Sequence, residues 1–310
     1  MGKVKVLTAR QAADLIKDGD TVTLSGFVAN GIAEALNAAA EERFLETGHP
    51  KDLTLFWVAG TGNKDGSHAD HYAHEGMVKK VIGGHFNFVP KICEMLSENK
   101  IEGYNVPQGA IAQMLRDNAA RKVGTISHVG IGTFADPRNG GGRLSEKTKE
   151  DIVKIIELEG QEQLFYPRIP LDVAFIRGTY ADELGNITLE KEMAPLDATS
   201  QAMAVHNNGG LVVVQVERVV KAGHLDPKLV KIPGIYVDAV VECPADDPKQ
   251  SQSINCTYDP AYAGNTQVPV SSLEPKKLDA KKIIGRRAAM ELKKTLLLTL
   301  ALVFLNGYLL

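Results

Sequence analysis

Cysteine is scarce in this chain: 310 residues hold three, Cys93, Cys243 and Cys256. They are odd in number and widely spaced, so they frame neither a disulfide scaffold nor a metal or redox pair, and they fit a reduced, cytoplasmic setting. None stands in an obvious pairing with histidine, and all three read as small hydrophobes rather than nucleophiles. A surplus of either charge is also missing. The 35 basic and 38 acidic side chains leave a formal net charge of −3, and no basic run precedes the last helical segment, which excludes a nucleic-acid-binding surface. The N-terminus MGKVKVLTARQ lacks the apolar stretch of a signal peptide, and Val6 stands where a myristoylation signal needs Ser or Thr. There is no internal repeat. No G-x-x-x-x-G-K-[ST] loop occurs, and HEGMV (74–78) lacks the second histidine of H-E-x-x-H.

What is present is an alternation of strand and helix over the first 130 residues. Thr8 and Gln11 are spaced as a capping box, Ala12, Ala13, Leu15 and Ile16 give the apolar stripe behind it, and Gly19 is placed to end that helix. Residues 21–27 read as a strand, 32–48 as a helix with a glycine stop, and 53–60 as a near-continuous apolar strand of the kind covered on both faces. Further strands are expected at 81–86, 102–106 and 125–132, with helices around 70–80, 89–99 and 109–120. The pattern predicts an α/β fold, an open, mostly parallel sheet with flanking helices. Such sheets bind ligands beyond the carboxyl ends of their strands. After residue 150 the pattern becomes hairpin-rich, with turns expected near Gly160 and at Gly185–Asn186, a helix at 196–210 and a buried strand at 211–220. Residues 244–277 are polar and turn-rich and read as a linker, and 278–294 as a charged amphipathic helix.

Three glycine-bearing turns follow strands, at 25–31, 107–110 and 130–142. No helix pattern starts soon enough after Gly130-x-Gly132 for a dinucleotide fingerprint. Three such turns at strand ends are expected to line one crevice. His68, His71 and His74 recur every three residues, but on an α-helix those steps would fan the imidazoles around the axis. They are therefore expected to be surface or hydrogen-bonding histidines, with no metal. Asp182, Glu183, Glu190 and Glu192 are read as solvated charge.

These turns and the segments between them carry a resemblance. DGDTVTLSGFVANGIAEAL (18–36), AHEGMVKKVIGGH (73–85), YNVPQGAIAQMLRD (104–117), VGIGTFADPRNGGG (129–142), FIRGTYADELGNITLEKEM (175–193) and the stretch 204–238 resemble a family I coenzyme A transferase of the single-chain acetate/propionate type. The resemblance covers about residues 3–294 and implies two tandem α/β domains, residues 3–243 forming the first. It implies transfer of coenzyme A from a short-chain acyl-CoA to a carboxylate such as acetate or lactate, by a ping-pong route through a glutamyl-CoA thioester. Coenzyme A would be a substrate, no cofactor would be held permanently, and the full-length relative would be a homo-oligomer. A carboxylate nucleophile suits the reaction because it is the same functional group as the acceptor. The attacking glutamate belongs to the family's second domain, and no residue here corresponds to it. What the resemblance assigns to this chain is the substrate-lining side: Gly26 and Phe27 of a Gly-Phe turn, Gln108 and Gly109 of a Pro-Gln-Gly motif, and Gly130 and Gly132 of a glycine-rich strand end. The family's G-x-P is altered, since Ala33 follows Gly31–Ile32.

The last sixteen residues, TLLLTLALVFLNGYLL, match none of this. A membrane span needs about 20 apolar residues, so a tail anchor on a non-catalytic acyl-CoA or carboxylate binder is the lesser reading. One choice of codons for this tail, shifted by a nucleotide, encodes the V-N-L-G-I-G-x-P-E strand and turn that opens the family's second domain. A one-nucleotide frameshift after Lys294 is therefore expected, leaving 278–294 as the first helix of a truncated second domain and the chain inactive alone.

Overall fold

The computed structural model describes residues 2–272, 274–275 and 277–291, so the expectations for the tail lie outside the described residues. The elements run β1 (Lys5–Leu7), α1 (Ala9–Ala13), β2 (Thr21–Leu24), α2 (Glu34–Thr47), β3 (Leu53–Trp57), β4 (Val78–Gly83), α3 (Pro90–Ser97), β5 (Glu102–Asn105), α4 (Gln108–Ala119) and β6 (Gly124–Ser127). They continue with β7 (Lys154–Leu158), β8 (Gln161–Pro167), β9 (Val173–Arg177), β10 (Tyr180–Asp182), β11 (Ile187–Thr188), α5 (Ala198–Asn207), β12 (Leu211–Val216), β13 (Arg218–Val220), β14 (Val230–Ile232), β15 (Ala239–Glu242) and α6 (Ala280–Ala289). The described residues divide into two units, the first ending at Ala263 and the second beginning at Gly264.

The first unit is built on an eight-stranded sheet in the order β1-β15-β12-β9-β2-β3-β4-β5, each neighbouring pair parallel. Its central strands are apolar on both sides because the period-2 pleat feeds two separate cores. Ala174 and Ile176 of β9, with Val212 and Val214 of β12, pack under α4 and α5, while Val173, Phe175 and Val213 pack under α1, α2 and α3. Each fully buried valine or isoleucine of this set contributes about 1.5–3 kcal/mol. Two smaller sheets flank this frame, a four-stranded one (β13-β10-β11-β14) and an antiparallel one (β6-β8-β7).

The capping box forms as read: Thr8 Oγ1 accepts from the Gln11 amide at 3.2 Å and Gln11 Oε1 from the Thr8 amide at 2.9 Å. Thr8→Ala is expected to cost about 1 kcal/mol in urea unfolding. The helix stops at Ala13, short of Gly19. Arg43 Nη1 takes the carbonyls of Ala13 and Ile16 at 2.7 Å each, so those acceptors need no further helical turn. The helix at 32–48 and its stop at Gly48 hold.

Three expectations are corrected. The helix around 70–80 is instead a 3₁₀ turn, His68–Tyr72, followed by β4; Asp70 is spent accepting the Lys91 and Ile92 amides, and Met77, Val78, Val81 and Ile82 are needed in the core. The strand at 125–132 ends at Ser127 and belongs to the antiparallel sheet, paired with β8. The strand at 211–220 breaks at Glu217, whose amide leaves the main sheet for Thr179 O at 2.9 Å, so its two halves serve different sheets.

The hairpin β7–β8 turns at Gly160 and β10–β11 at Gly185–Asn186, as read. Residues 244–263 are part of the first unit and bury Gln250 and Gln252. In the second unit, α6 is capped by Asp279, which accepts the Lys282 amide at 2.7 Å, and carries Arg286 and Arg287 in its last turn. No helix among the described residues is long and apolar enough to cross a membrane.

Candidate functional site

In the main sheet the chain leaves β2 through α2 toward β3 on one side and leaves β9 through α5 toward β12 on the other. The order reverses between β2 and β9, so their carboxyl ends bound the crevice where ligands of open α/β sheets bind. The residues there are Ser25, Gly26 and Phe27 after β2, and Gly178 and Thr179 after β9.

The turn after β2 is tightly specified. Ser25 donates its amide to Phe175 O at 3.1 Å and its Oγ to Gly31 O at 2.6 Å, while Phe27 and Asn30 exchange backbone hydrogen bonds at 2.9 and 3.0 Å. The Asn30 carboxamide closes the turn by donating to Phe27 O at 2.7 Å. Gly26 sits at φ +120°, and a Cβ there would lie 1.9 Å from Ile32 Cδ1, so only glycine fits. Val28 holds φ +56°, a costly conformation for a β-branched residue and one that clusters at functional turns. Its amide donates to Gly60 O at 2.6 Å and its carbonyl accepts from Gly62 at 2.9 Å, which ties the β2 turn to the β3 turn.

The rim continues along the sheet. A Cβ on Gly84, after β4, would lie 2.2 Å from Val58 O and 3.2 Å from Gln108 Cβ, so the turns after β3, β4 and β5 meet at backbone distance. Gln108 opens α4 directly behind Pro107, and Gln108 and Gly109 are exposed. The first-turn amides of α4 have no intrahelical acceptor, which gives this end a partial positive charge. Among the described residues the Gly26 amide also has no protein partner, although those of Ser25 and Phe27 do. Backbone amides placed this way can hold a carboxylate or a developing oxyanion.

The structure thus brings Gly26, Phe27, Gln108 and Gly109 onto one rim. Gly130 and Gly132 lie elsewhere, in the turn after β6. Gly130 is packed where a Cβ would meet Tyr166 Oη at 2.5 Å, and the Gly132 amide is spent on Asp136 Oδ2 at 2.9 Å. Tyr166 donates to Val129 O at 2.6 Å, and burial pushes its hydroxyl up to about 12. Their loop reaches the rim only at its far end, where the Asn105 amide donates to Gly142 O at 2.7 Å.

Behind the β2 turn lies a feature that the sequence reading missed. Arg177 and Glu192 form a buried ion pair, Nε to Oε1 3.1 Å, with both side chains 3% exposed. Arg177 also donates through Nη1 to Ser251 O, and its amide reaches Ser25 Oγ at 3.3 Å. Glu192 Oε2 is buried without a partner, and burial, only partly opposed by Arg177, raises its pKa. Glu192 is therefore not solvated charge, and neither is Asp182, which is buried and accepts from the Leu184 and Asn186 amides at 2.9 Å each. The signal lay in VAFIR: a guanidinium at the end of a strand buried on both faces demands a buried anion.

The three histidines are hydrogen-bonding residues, but they do not fan. On the 3₁₀ turn three residues make a full revolution, so His68 and His71 face α2 together, with His74 just beyond. His71 Nε2 lies 2.7 Å from Glu34 Oε1 and His74 Nε2 2.6 Å from Glu41 Oε1. Cys243 is buried, which pushes its thiol up to about 12, whereas Cys93 and Cys256 are half-buried. A recess of about 390 Å³ opens beside the β2 turn, between Ala29, Ile32, Asp65, His68, Lys249 and Ser253.

Comparison with known proteins finds the family described as Coenzyme A transferase matching residues 6–243. Acetate CoA-transferase YdiF of Escherichia coli K12 is 40% identical over 296 residues, covering 94% of this chain and 55% of the relative. Caffeate CoA-transferase of Acetobacterium woodii is 40% identical over 290 residues with the same coverage. The chain therefore spans about half the length of the curated relatives it matches. A crystal structure of the E. coli O157:H7 acyl-CoA transferase, solved as a thioester complex with CoA, superposes with a TM-score of 0.86 at 39% identity, covering 94% of this chain and 55% of that one.

Proposed function

Because the chain belongs to the coenzyme A transferase family, we propose that its strand-end rim is the first-domain side of a site that moves coenzyme A between a short-chain acyl-CoA and a carboxylate. Propionyl-CoA or acetyl-CoA is the donor, and acetate or lactate the acceptor. The observation that carries this reading is the Gly26–Phe27 turn: it stands at the point where strand order reverses, with an unpartnered amide, at the position the family uses against substrate.

The chemistry expected of the complete site follows from its resemblance to the family. A glutamate carboxylate attacks the thioester carbonyl and expels CoA thiolate, leaving a mixed anhydride. The thiolate then attacks the glutamyl carbonyl, releases the acyl carboxylate and leaves a glutamyl-CoA thioester. The acceptor carboxylate reverses both steps, so no net proton, oxidant or metal enters. Each attack places negative charge on a carbonyl oxygen, and the part assigned to this chain is to meet that charge with backbone amides at Gly26 and at the start of α4, while the Gln108 carboxamide donates to the substrate carboxylate. Coenzyme A is a substrate and not a resident cofactor, and the complete enzyme is a homo-oligomer.

By the resemblance the attacking glutamate belongs to the family's second domain, and these 310 residues cover about half of such a relative, so the 310-residue polypeptide is expected to be inactive by itself. Incubated with propionyl-CoA and labelled acetate, it is expected to form no labelled acetyl-CoA above the protein-free blank. Robust turnover by the 310-residue chain would overturn this assignment.

A further inference from the structure

A second group of titratable side chains lies where the 3₁₀ turn packs on α2, and its Glu34 also lines the recess beside the β2 turn. His71 stands between two carboxylates two helical turns apart on one face of α2, its Nε2 on Glu34 and its Nδ1 in a short hydrogen bond with Glu41. Glu41 in turn holds His74. The four side chains are largely buried, His71 14% exposed, Glu34 17%, Glu41 19% and His74 28%. A neutral imidazole has one N–H and cannot donate to both carboxylates. The ladder is satisfied when His71 carries both protons.

We propose that the Glu34–His71–Glu41–His74 ladder is a proton-operated clasp, which holds the segment leaving β3 against α2 while His71 is imidazolium and releases it when His71 loses a proton. That segment matters to the rim. Its start, Gly60–Gly62, carries the two backbone hydrogen bonds to Val28, and its end is anchored by the His68 amide on Glu34 Oε2 at 3.2 Å. Opening the clasp frees one end of a strap whose other end supports the Gly26–Phe27 turn.

The groups around His71 set the direction. From α2 come Glu34 and Glu41, with Asn37 accepting from Tyr72 Oη; from the 3₁₀ turn come His68 and Asp70; Lys91 of α3 lies beyond Asp70, and Asp65 lies beside His68. Burial pulls the His71 pKa down, but the hydrogen bonds and charges of Glu34 and Glu41 outweigh it, so His71 stands above the ordinary histidine range. Its stabilisation is complete below the unfolded value of about 6.5 and is lost as pH rises through the raised folded value. His68 acts in the opposite sense: burial lowers its pKa, and the stability this brings is present above about 6.5 and lost as pH falls toward the lowered value. Between these two, only His71 titrates above about pH 6.5.

Hydrogen exchange of the full chain, corrected for the intrinsic pH dependence, tests the clasp. Between pH 6.5 and 9 the opening constant of residues 60–72 is expected to rise by about tenfold for each unit by which His71 titrates above free histidine, and the rise is expected to vanish in Glu34→Gln/Glu41→Gln. Equal pH dependence in wild type and variant would overturn the proposal. A second readout needs no variant: imidazole ¹⁵N spectra of the wild-type chain at pH 7 should contain a histidine protonated at both nitrogens, and its absence would overturn the proposal as well.

Discussion

Arg177→Met is expected to lower the unfolding free energy of the first unit by about 3–5 kcal/mol, read by urea denaturation through the fluorescence of Trp57, the chain's single tryptophan. The substitution strands Glu192 in the core at 3% side-chain exposure, with one oxygen already unpartnered. It also removes the guanidinium that holds Ser251 O. Glu192 can escape part of the penalty by taking a proton, since burial already raises its pKa. The raised value fixes the sign: the loss is smaller at low pH and grows as pH rises and the unpaired carboxylate must ionise. Arg177→Met/Glu192→Leu removes both charges and should return most of the stability, because an apolar pair of similar volume replaces a buried ion pair at little net cost. A double variant as unstable as the single one would mean that the pair does more than neutralise itself.

Gly26→Val should be the most damaging change on the rim. Its φ of +120° is closed to a β-branched residue, and its Cβ would fall 1.9 Å from Ile32 Cδ1 and 3.0 Å from Asn30 O. Strain and overpacking together should cost about 2 kcal/mol or more. Gly26→Ala/Ile32→Ala separates the two effects: space is restored, the backbone strain is not. The double variant should regain part of the stability lost by Gly26→Ala, while the turn stays displaced from Phe27 and Asn30. Full recovery of both would show that the clash alone kept glycine there.

These two sites also mark how much of the molecule was legible in its sequence. The parallel sheet could be read because strands such as 53–57 and 211–216 are near-continuous apolar runs, interrupted only by Thr54 and Gln215, and a sheet covered on both faces asks for that. The Gly26–Phe27 turn was readable as glycine after a strand, and Gln108 as the residue that opens a helix. Three things were not readable. His68–Tyr72 has the composition of a helix, and its conversion to a 3₁₀ turn depends on contacts with α2 and α3, 21 to 37 residues away in sequence. Gly130 and Gly132 look like any strand-end glycines, yet β6 pairs with β8, so their turn belongs to the antiparallel sheet. Glu192 sits in a run of charged residues that looks solvated, and only the fold places it beside Arg177, fifteen positions earlier.

The most direct test of the account pairs this chain with the second half of a relative. The chain is joined through its residue 294 to the second half of the E. coli acetate CoA-transferase and incubated with acetyl-CoA, and intact mass then reads the CoA thioester formed on the appended half. The account predicts a borohydride-sensitive CoA adduct in the joined protein, none on the 310-residue chain alone, and loss of the adduct when Gly26→Val is introduced into a joined protein that still folds. An adduct that forms equally well with Gly26→Val would contradict the assignment of the rim to the transfer site.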